Sequence, residues 1–295
     1  MARFKSRFLC AALLLVGALL LHPAGAQAAI TPIPHGTLEL IAEDQWAAPG
    51  HDFSLGLRFQ LEKGWHIYWI NPGDSGEPPR VNWHLPAGLT VGAMQWPTPQ
   101  RLGTSSIVDF GYEDTVTLIA PIHMEANLAA RQPVQLGIEA KVLVCREICI
   151  PGKAQLSLTL LVKSQPPAAD ARTRDLFTAA RKSLPRPVPK AWRFRVGDAN
   201  DSLVLIANLG HPITQAVFFP IAESQIDNAA SQKILPAMAG FRLTLRKSAQ
   251  LRAPIERLKG VLVLAGDRSY VIDVPVGKVG AAANSYNKES TRHIP

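Results

Sequence analysis

The sequence is poor in cysteine, in charge and in aromatic rings: 3 Cys, 18% charged residues and 7% Phe, Trp and Tyr among 295 residues. So few cysteines cannot frame a disulfide scaffold for a chain this long, so whatever they do is local. Basic residues outnumber acidic ones by 31 to 23 but are scattered without a Lys/Arg block, which argues against nucleic-acid binding. Beyond the N-terminus no stretch approaches the roughly 18 consecutive apolar residues that suggest a membrane span. No phosphate-binding glycine loop and no nucleophile–base pairing is present. Asp, Glu and Ser show no spacing that points to hydrolysis, and no organic cofactor is expected.

What is abundant is aliphatic residues, proline and glycine. Hydrophobic residues make up 47%, with 24 Pro and 21 Gly. That suffices for a sizeable core and excludes a disordered chain. At roughly 150 residues per domain, the length suggests about two domains. Arg3, Lys5 and Arg7 precede an apolar run over residues 8–21, and the small-residue triplets Ala24-Gly25-Ala26 and Ala26-Gln27-Ala28 follow. This order is that of a secretory signal peptide, expected over residues 1–28. The run is about 14 residues, shorter than the roughly 20 that cross a bilayer. Removing its three basic residues leaves 28 against 23 acidic ones, a net charge of +5. Two cysteines then remain, Cys145 and Cys149, in a compartment that permits disulfides.

Residues 37–41, 53–61, 115–122, 134–144 and 154–162 alternate apolar with polar, the mark of half-buried antiparallel strands. Pro/Gly-rich connections at 71–79 and 85–88 separate them. The spacing predicts an all-β fold whose first domain, residues 29–163, is an immunoglobulin-like β-sandwich. Residues 164–190 open on Pro166-Pro167 and close on Pro185, Pro187 and Pro189, so they read as a linker. A short helix is expected over 170–183, with Leu176, Phe177 and Ala180 on one face. Strand patterns return at 192–196, 203–207, 216–219, 241–245, 260–264 and 270–274, giving a second, smaller β-sandwich domain over 191–277. Residues 278–295 are expected to form a flexible tail.

The sharpest chemical feature is Val144-Cys145-Arg146-Glu147-Ile148-Cys149-Ile150-Pro151-Gly152, between two apolar strands. Three readings compete. As a structural staple, so small a ring contributes only about 2 kcal/mol, against about 4.7 for a 100-residue loop. As a redox pair, the cysteines cycle between dithiol and disulfide; Arg146 favours a thiolate on Cys145 and Glu147 opposes it. As a copper site, the thiolates bind Cu(I) with help from His66, His84, His123, Met94 or Met124. A binuclear copper loop calls for His and Met soon after the second cysteine, where Lys153 and Ala154 stand instead.

The second feature is residues 64–79, Gly-Trp-His-Ile-Tyr-Trp-Ile-Asn-Pro-Gly-Asp-Ser-Gly-Glu-Pro-Pro. On a strand Trp65 and Trp69 share a face and Tyr68 points the other way. The tryptophans read either as a core plug or as a binding face.

With Trp96-Pro97 and Pro99, Phe110-Gly111-Tyr112, and the cysteine pair followed by Ile150-Pro151-Gly152, this segment resembles the periplasmic N-terminal region of DsbD-type thiol:disulfide interchange proteins. The likeness is closer to the branch that includes the suppressor of copper sensitivity protein B. It is strongest over residues 36–163. The resemblance implies a periplasmic, immunoglobulin-like electron carrier, a domain of protein-disulfide reductase type. A thioredoxin-like donor would reduce the pair, with electrons drawn through a membrane transporter. The pair would then reduce periplasmic thiol proteins: disulfide isomerases, cytochrome c maturation thioredoxins or copper-resistance proteins. It further implies Cys149 as the sulfur that meets partners, Cys145 as the resolving one, and a cap over the pair. Asp109, Phe110 and Tyr112 match that cap, with Phe110 as the shielding ring. The cysteine spacing is narrower here than in the DsbD branch. No transmembrane run or C-x-x-C domain follows, so the reductant is expected on another polypeptide. The competing class is a binding protein for copper or a partner, with a permanently closed bridge.

Overall fold

The computed structural model describes residues 29–278 except 104–105, 129–131 and 267. The signal peptide expected over 1–28, and all of the expected tail but Lys278, lie outside the described residues.

Residues 29–162 contribute twelve strands. The first six are β1 (Ala29–Ile33), β2 (Gly36–Ala42), β3 (Trp46–Ala47), β4 (Asp52–Leu61), β5 (His66–Gly73) and β6 (Arg80–His84). Then come β7 (Leu89–Val91), β8 (Gln100–Gly103), β9 (Val108–Glu113), β10 (Thr115–Met124), β11 (Val134–Cys145) and β12 (Cys149–Val162). They form one sheet in the order β1-β2-β4-β10-β7 and another in the order β3-β12-β11-β5-β9-β8. The physical cause is legible in β12, where Ala154, Leu156, Leu158, Leu160 and Val162 alternate inward with exposed neighbours. Facing them from the other sheet are Leu38, Leu40, Leu55, Leu57 and Phe59, all fully buried. Trp65 and Trp69 join this core.

β11 and β12 form a hairpin in continuous register from Val134↔Leu160 to Cys145↔Cys149. The other edge of β11 is shared. Gly137 to Lys141 pair with β6, and at the tip Cys145 pairs with His66 of β5.

Among the described residues one helix, α1 (Arg174–Ser183), follows the sandwich. It starts four residues later than the sequence suggested, because Asp170 is drawn into the turn before it. The Asp170 carbonyl accepts the Thr173 and Arg174 N–H groups, and its carboxylate holds Arg172. Phe177 is fully buried against Ile41 and Ile119, so the helix lies on the outside of the first sheet. Gly56 makes room for it: a Cβ there would sit 3.0 Å from the Phe177 ring.

Beyond the helix come β13 (Arg186–Pro187), β14 (Arg193–Ala199), β15 (Ser202–Asn208) and β16 (Ala216–Pro220). The last four are β17 (Lys233–Ala237), β18 (Gly240–Arg246), β19 (Arg257–Leu264) and β20 (Arg268–Lys278). β20 pairs with β19 along most of its length and ends parallel to β14, which joins β16-β19-β20 to β14-β15-β18-β17. A separate core with Leu205, Phe241, Leu243, Leu258 and Leu262 fills this part.

The two parts touch through a built interface. Phe219 and Val261 belong to the core of the first part. The Phe219 ring meets Trp69 and Phe110 edge-on, at centroid separations of 6.4 and 5.2 Å. Asn71 Nδ2 donates to the Pro220 carbonyl (2.8 Å), and Asn228 Nδ2 donates to Asp74 Oδ1 (2.8 Å).

Candidate functional site

Cys145 and Cys149 close the β11–β12 hairpin as a disulfide with Cα atoms 4.1 Å apart. The turn between them is held by the Arg146 N–H donating to the Ile148 carbonyl. The two cysteines are not equivalent. Cys145 is 1% exposed, whereas Cys149 is exposed and Ile148 beside it is 64% exposed.

Strand alternation decides what surrounds the bridge. Val142 and Val144 of β11, Ile67 and Trp69 of β5, and Val108, Phe110 and Tyr112 of β9 all point into the core. Cys145, His66, Tyr68 and Asp109 therefore project from the opposite face of the sheet. On that face the Tyr68 hydroxyl lies 3.5 Å from Cys149 Sγ, and the His66 ring meets Tyr68 edge-on at 5.1 Å.

The connection after β5 folds back over this face. Gly76, at φ +77°, runs so close to the Tyr68 ring that a Cβ would come within 2.1 Å of Cζ. The Asp109 carboxylate accepts the Ser75 N–H and the Ser75 hydroxyl, each at 3.0 Å. Asp74 Oδ2 accepts the Val108 N–H at 2.8 Å, while its other oxygen takes Asn228. The residues between β5 and β6 are thus tied both to β9 and to the second part of the chain.

Burial sets the ionisation of the site. It pushes the Tyr68 phenol above its ordinary value, with the Asp109 charge adding and the Ser75 hydrogen bond opposing. It lowers His66, against the pull of Asp109 and Glu113. Tyr112 is raised well above the phenol range by burial, its hydroxyl donating to the Pro97 carbonyl at 2.7 Å.

The sequence-derived candidates divide accordingly. Cys145, Cys149 and Asp109 lie on one face. Phe110 takes a different place from the cap expected of it: it is fully buried on the other face, packed against Trp69 and Phe219. Tyr112 shares that inner face. The ring beside the disulfide is Tyr68, which the sequence offered only as an aromatic of opposite parity to its tryptophan neighbours. Asp74 and Ser75 stood in the singled-out 64–79 segment without an assigned role, and Asn228 carried no sequence signal, because their roles come from contacts across the fold.

Of the copper candidates, His66 pairs with Cys145 across β5 and β11, and Met94 packs against the first core. His123 Nδ1 is 2.6 Å from Asp52, Met124 is buried in the core, and His84 pairs with Gly137 along β11. Among the described residues there is no cluster of three or more His, Cys, Asp or Glu arranged to hold a metal.

Known proteins share the fold. The chain resembles the crystal structure of the N-terminal periplasmic domain of ScsB from Proteus mirabilis, with a TM-score of 0.63 and 19% identity over 84% of this chain and 97% of that one. Domains 5–6 of the S-layer protein SbsC align at a TM-score of 0.23 with 10% identity, over 86% of this chain and all of that one, too weakly to bear on the fold. No curated protein matches the sequence significantly. Residues 37–161, which run from β2 into the end of β12 and contain both cysteines, match the family described as thiol:disulfide interchange protein DsbD, N-terminal. Over residues 37–161 the chain is thus similar in sequence to the N-terminal region of DsbD-type thiol:disulfide interchange proteins, and its fold is similar to that of the ScsB domain.

Proposed function

We propose that the protein relays reducing equivalents by thiol–disulfide exchange at Cys145 and Cys149, taking them from a thioredoxin-like donor and passing them to thiol proteins of the periplasm. The observation that carries this reading is the asymmetry of the bridge: one cysteine exposed at a hairpin tip, the other buried behind it. A permanently closed staple has no need of that difference. Exchange does, because attack must come along the S–S axis at an accessible sulfur.

The donor thiolate attacks Cys149 Sγ. A donor–Cys149 disulfide forms, the Cys145–Cys149 bond breaks, and its electron pair leaves on Cys145 as a thiolate that takes up a proton. The donor's second thiolate then attacks the mixed disulfide, and the oxidised donor departs from Cys149. The pair has gained two electrons and two protons. The same steps in reverse pass them to an acceptor disulfide. The chain's own residues supply positioning: the hairpin presents Cys149, and Tyr68, against which the folded-back 71–79 segment packs, sets its hydroxyl beside Cys149 Sγ. Acceptors of the disulfide isomerase, cytochrome c maturation or copper-resistance kind fit the chemistry equally, and a separate membrane transporter would feed the donor. Among the described residues no helix is long and apolar enough to cross a membrane.

Equilibration with glutathione buffers and counting of free thiols tests the reading. A midpoint between about −120 and −270 mV is expected for an exchange protein, whereas a bridge that resists reduction to below about −300 mV would mark a structural staple. A Cys145→Ser chain should hold a trapped mixed disulfide on Cys149 with a thioredoxin-like donor.

A further inference from the structure

We infer that His66 is the proton acceptor for Cys145 when the buried sulfur is called on to attack, an inference that rests on the exchange reading above.

The geometry comes first. His66 and Cys145 are directly paired across β5 and β11, so their side chains rise side by side from the same face. His66 is 7% exposed, and its Nε2 is buried without a hydrogen-bond partner among the described residues. Buried polar atoms are nearly always satisfied, and an exception needs a reason. The oxidation state supplies one. In the disulfide Cys145 carries no hydrogen, while in the dithiol its S–H becomes a donor beside an imidazole nitrogen with nothing else to accept.

The charged and titratable groups around the ring are consistent with that role. From β9 come Glu113, its register partner on the other side, and Asp109; from β5 itself comes Tyr68; and from β11 comes Cys145. The carboxylates favour an imidazolium, but burial outweighs them and holds His66 below its ordinary value, so the ring is neutral and able to accept a proton near pH 7. The tip residue Arg146 is turned toward the Trp65 ring.

The step balances as follows. With an acceptor held on Cys149 as a mixed disulfide, the Cys145 S–H proton passes to His66 Nε2. The Cys145 sulfur pair forms the bond to Cys149 Sγ, the Cys149–acceptor bond breaks, and the acceptor sulfur leaves as a thiolate. The imidazolium then returns its proton to solvent or to that thiolate. An unassisted thiol with a pKa of about 8.5 is only about 3% ionised at pH 7, and a buried one less. Loss of the acceptor is therefore expected to slow resolution about 10-fold or more at pH 7.

The test uses reduced full-length protein and oxidised glutathione, quenched in acid at intervals and weighed by mass spectrometry. Wild type should pass through glutathionyl-Cys149 without accumulating it. His66→Gln should accumulate that adduct at pH 7 and clear it increasingly fast as the pH rises toward the thiol's own ionisation. A His66→Gln chain whose resolution rate and pH profile match wild type overturns the inference while leaving exchange intact. A wild-type chain that does not react with glutathione at all overturns the exchange reading itself. Should the variant fail to fold, the wild type answers by nuclear magnetic resonance. The His66 imidazole should titrate at a different pH in the dithiol than in the disulfide, and identical titrations overturn the inference.

Discussion

The Tyr68 hydroxyl stands 3.5 Å from Cys149 Sγ, and the backbone of Gly76 runs close against the same ring. One side chain thus links the exposed cysteine to a segment that is itself tied to β9 through Asp109 and Asp74, and to the second part of the chain through Asn228. Because a disulfide sulfur has no hydrogen, the phenol is the donor in that contact. Burial keeps it protonated at any physiological pH, so it remains a donor when Cys149 is reduced.

It follows that Tyr68→Phe should raise the pKa of the reduced Cys149 thiol. A hydrogen bond to a charged group contributes about 1.5–3 kcal/mol, and roughly half of that at an exposed sulfur corresponds to about one pKa unit. Alkylation with iodoacetamide across pH 6–10, in a Cys145→Ser background so that one thiol reports, measures it. An unchanged profile would show that the phenol does not touch the thiolate.

Gly76→Ala should destabilise the fold and open the bridge. A side chain at φ +77° is strained by about 1 kcal/mol or more, and its Cβ would overlap the Tyr68 ring, forcing the ring or the segment aside at a further cost of about 1–3 kcal/mol. Urea unfolding should show the loss, and dithiothreitol should reduce the displaced disulfide faster than in wild type. A variant as stable as its parent would mean that the segment swings freely from the ring.

How far the sequence foretold this arrangement depends on whether periodicity or long-range contact decides it. The alternation in residues 134–144 and 154–162 announced the hairpin, and with it the meeting of Cys145 and Cys149. The long central strands were legible for the same reason. The short edge strands β3, β7, β8 and β13 were not, since two to four residues carry no period. Phe110 illustrates the limit at the site. Its neighbourhood in sequence suggested a lid, but its parity with Val108 and Tyr112 turns it into the core, where Phe219, more than a hundred residues away, covers it. Only the three-dimensional register of β5 against β11 picks out His66 from the other histidines.

Phe219→Ala should weaken the contact between the two parts of the chain more than either part alone. Phe219 is 5% exposed and meets Trp69 and Phe110, so truncation should cost about 3–5 kcal/mol. Since each part has its own core, calorimetry should resolve the wild-type transition into two, with the first part melting earlier. Asn228→Ala removes only the Asp74 hydrogen bond and should cost about 1 kcal/mol. A Phe219→Ala chain that keeps one transition at nearly the wild-type temperature would show that the aromatic contact does not couple them.

The oxidised protein should lose stability at both ends of the pH scale through residues of the site. His66 is a base whose folded-state pKa is depressed by burial. As pH falls through its ordinary value of about 6.5, the unfolded chain binds a proton that the folded chain resists, and stability declines. Tyr68 and Tyr112 are acids whose folded-state values are raised by burial. Above about pH 10 the unfolded chain releases protons that the folded chain retains, and stability declines again. Urea midpoints measured from pH 5 to 11 should therefore form a plateau with two shoulders. His66→Gln should flatten the acidic shoulder between pH 5 and 6.5 while leaving the alkaline one in place, and Tyr112→Phe should do the converse. An acidic shoulder unchanged by His66→Gln would mean that the imidazole is as readily protonated in the fold as outside it.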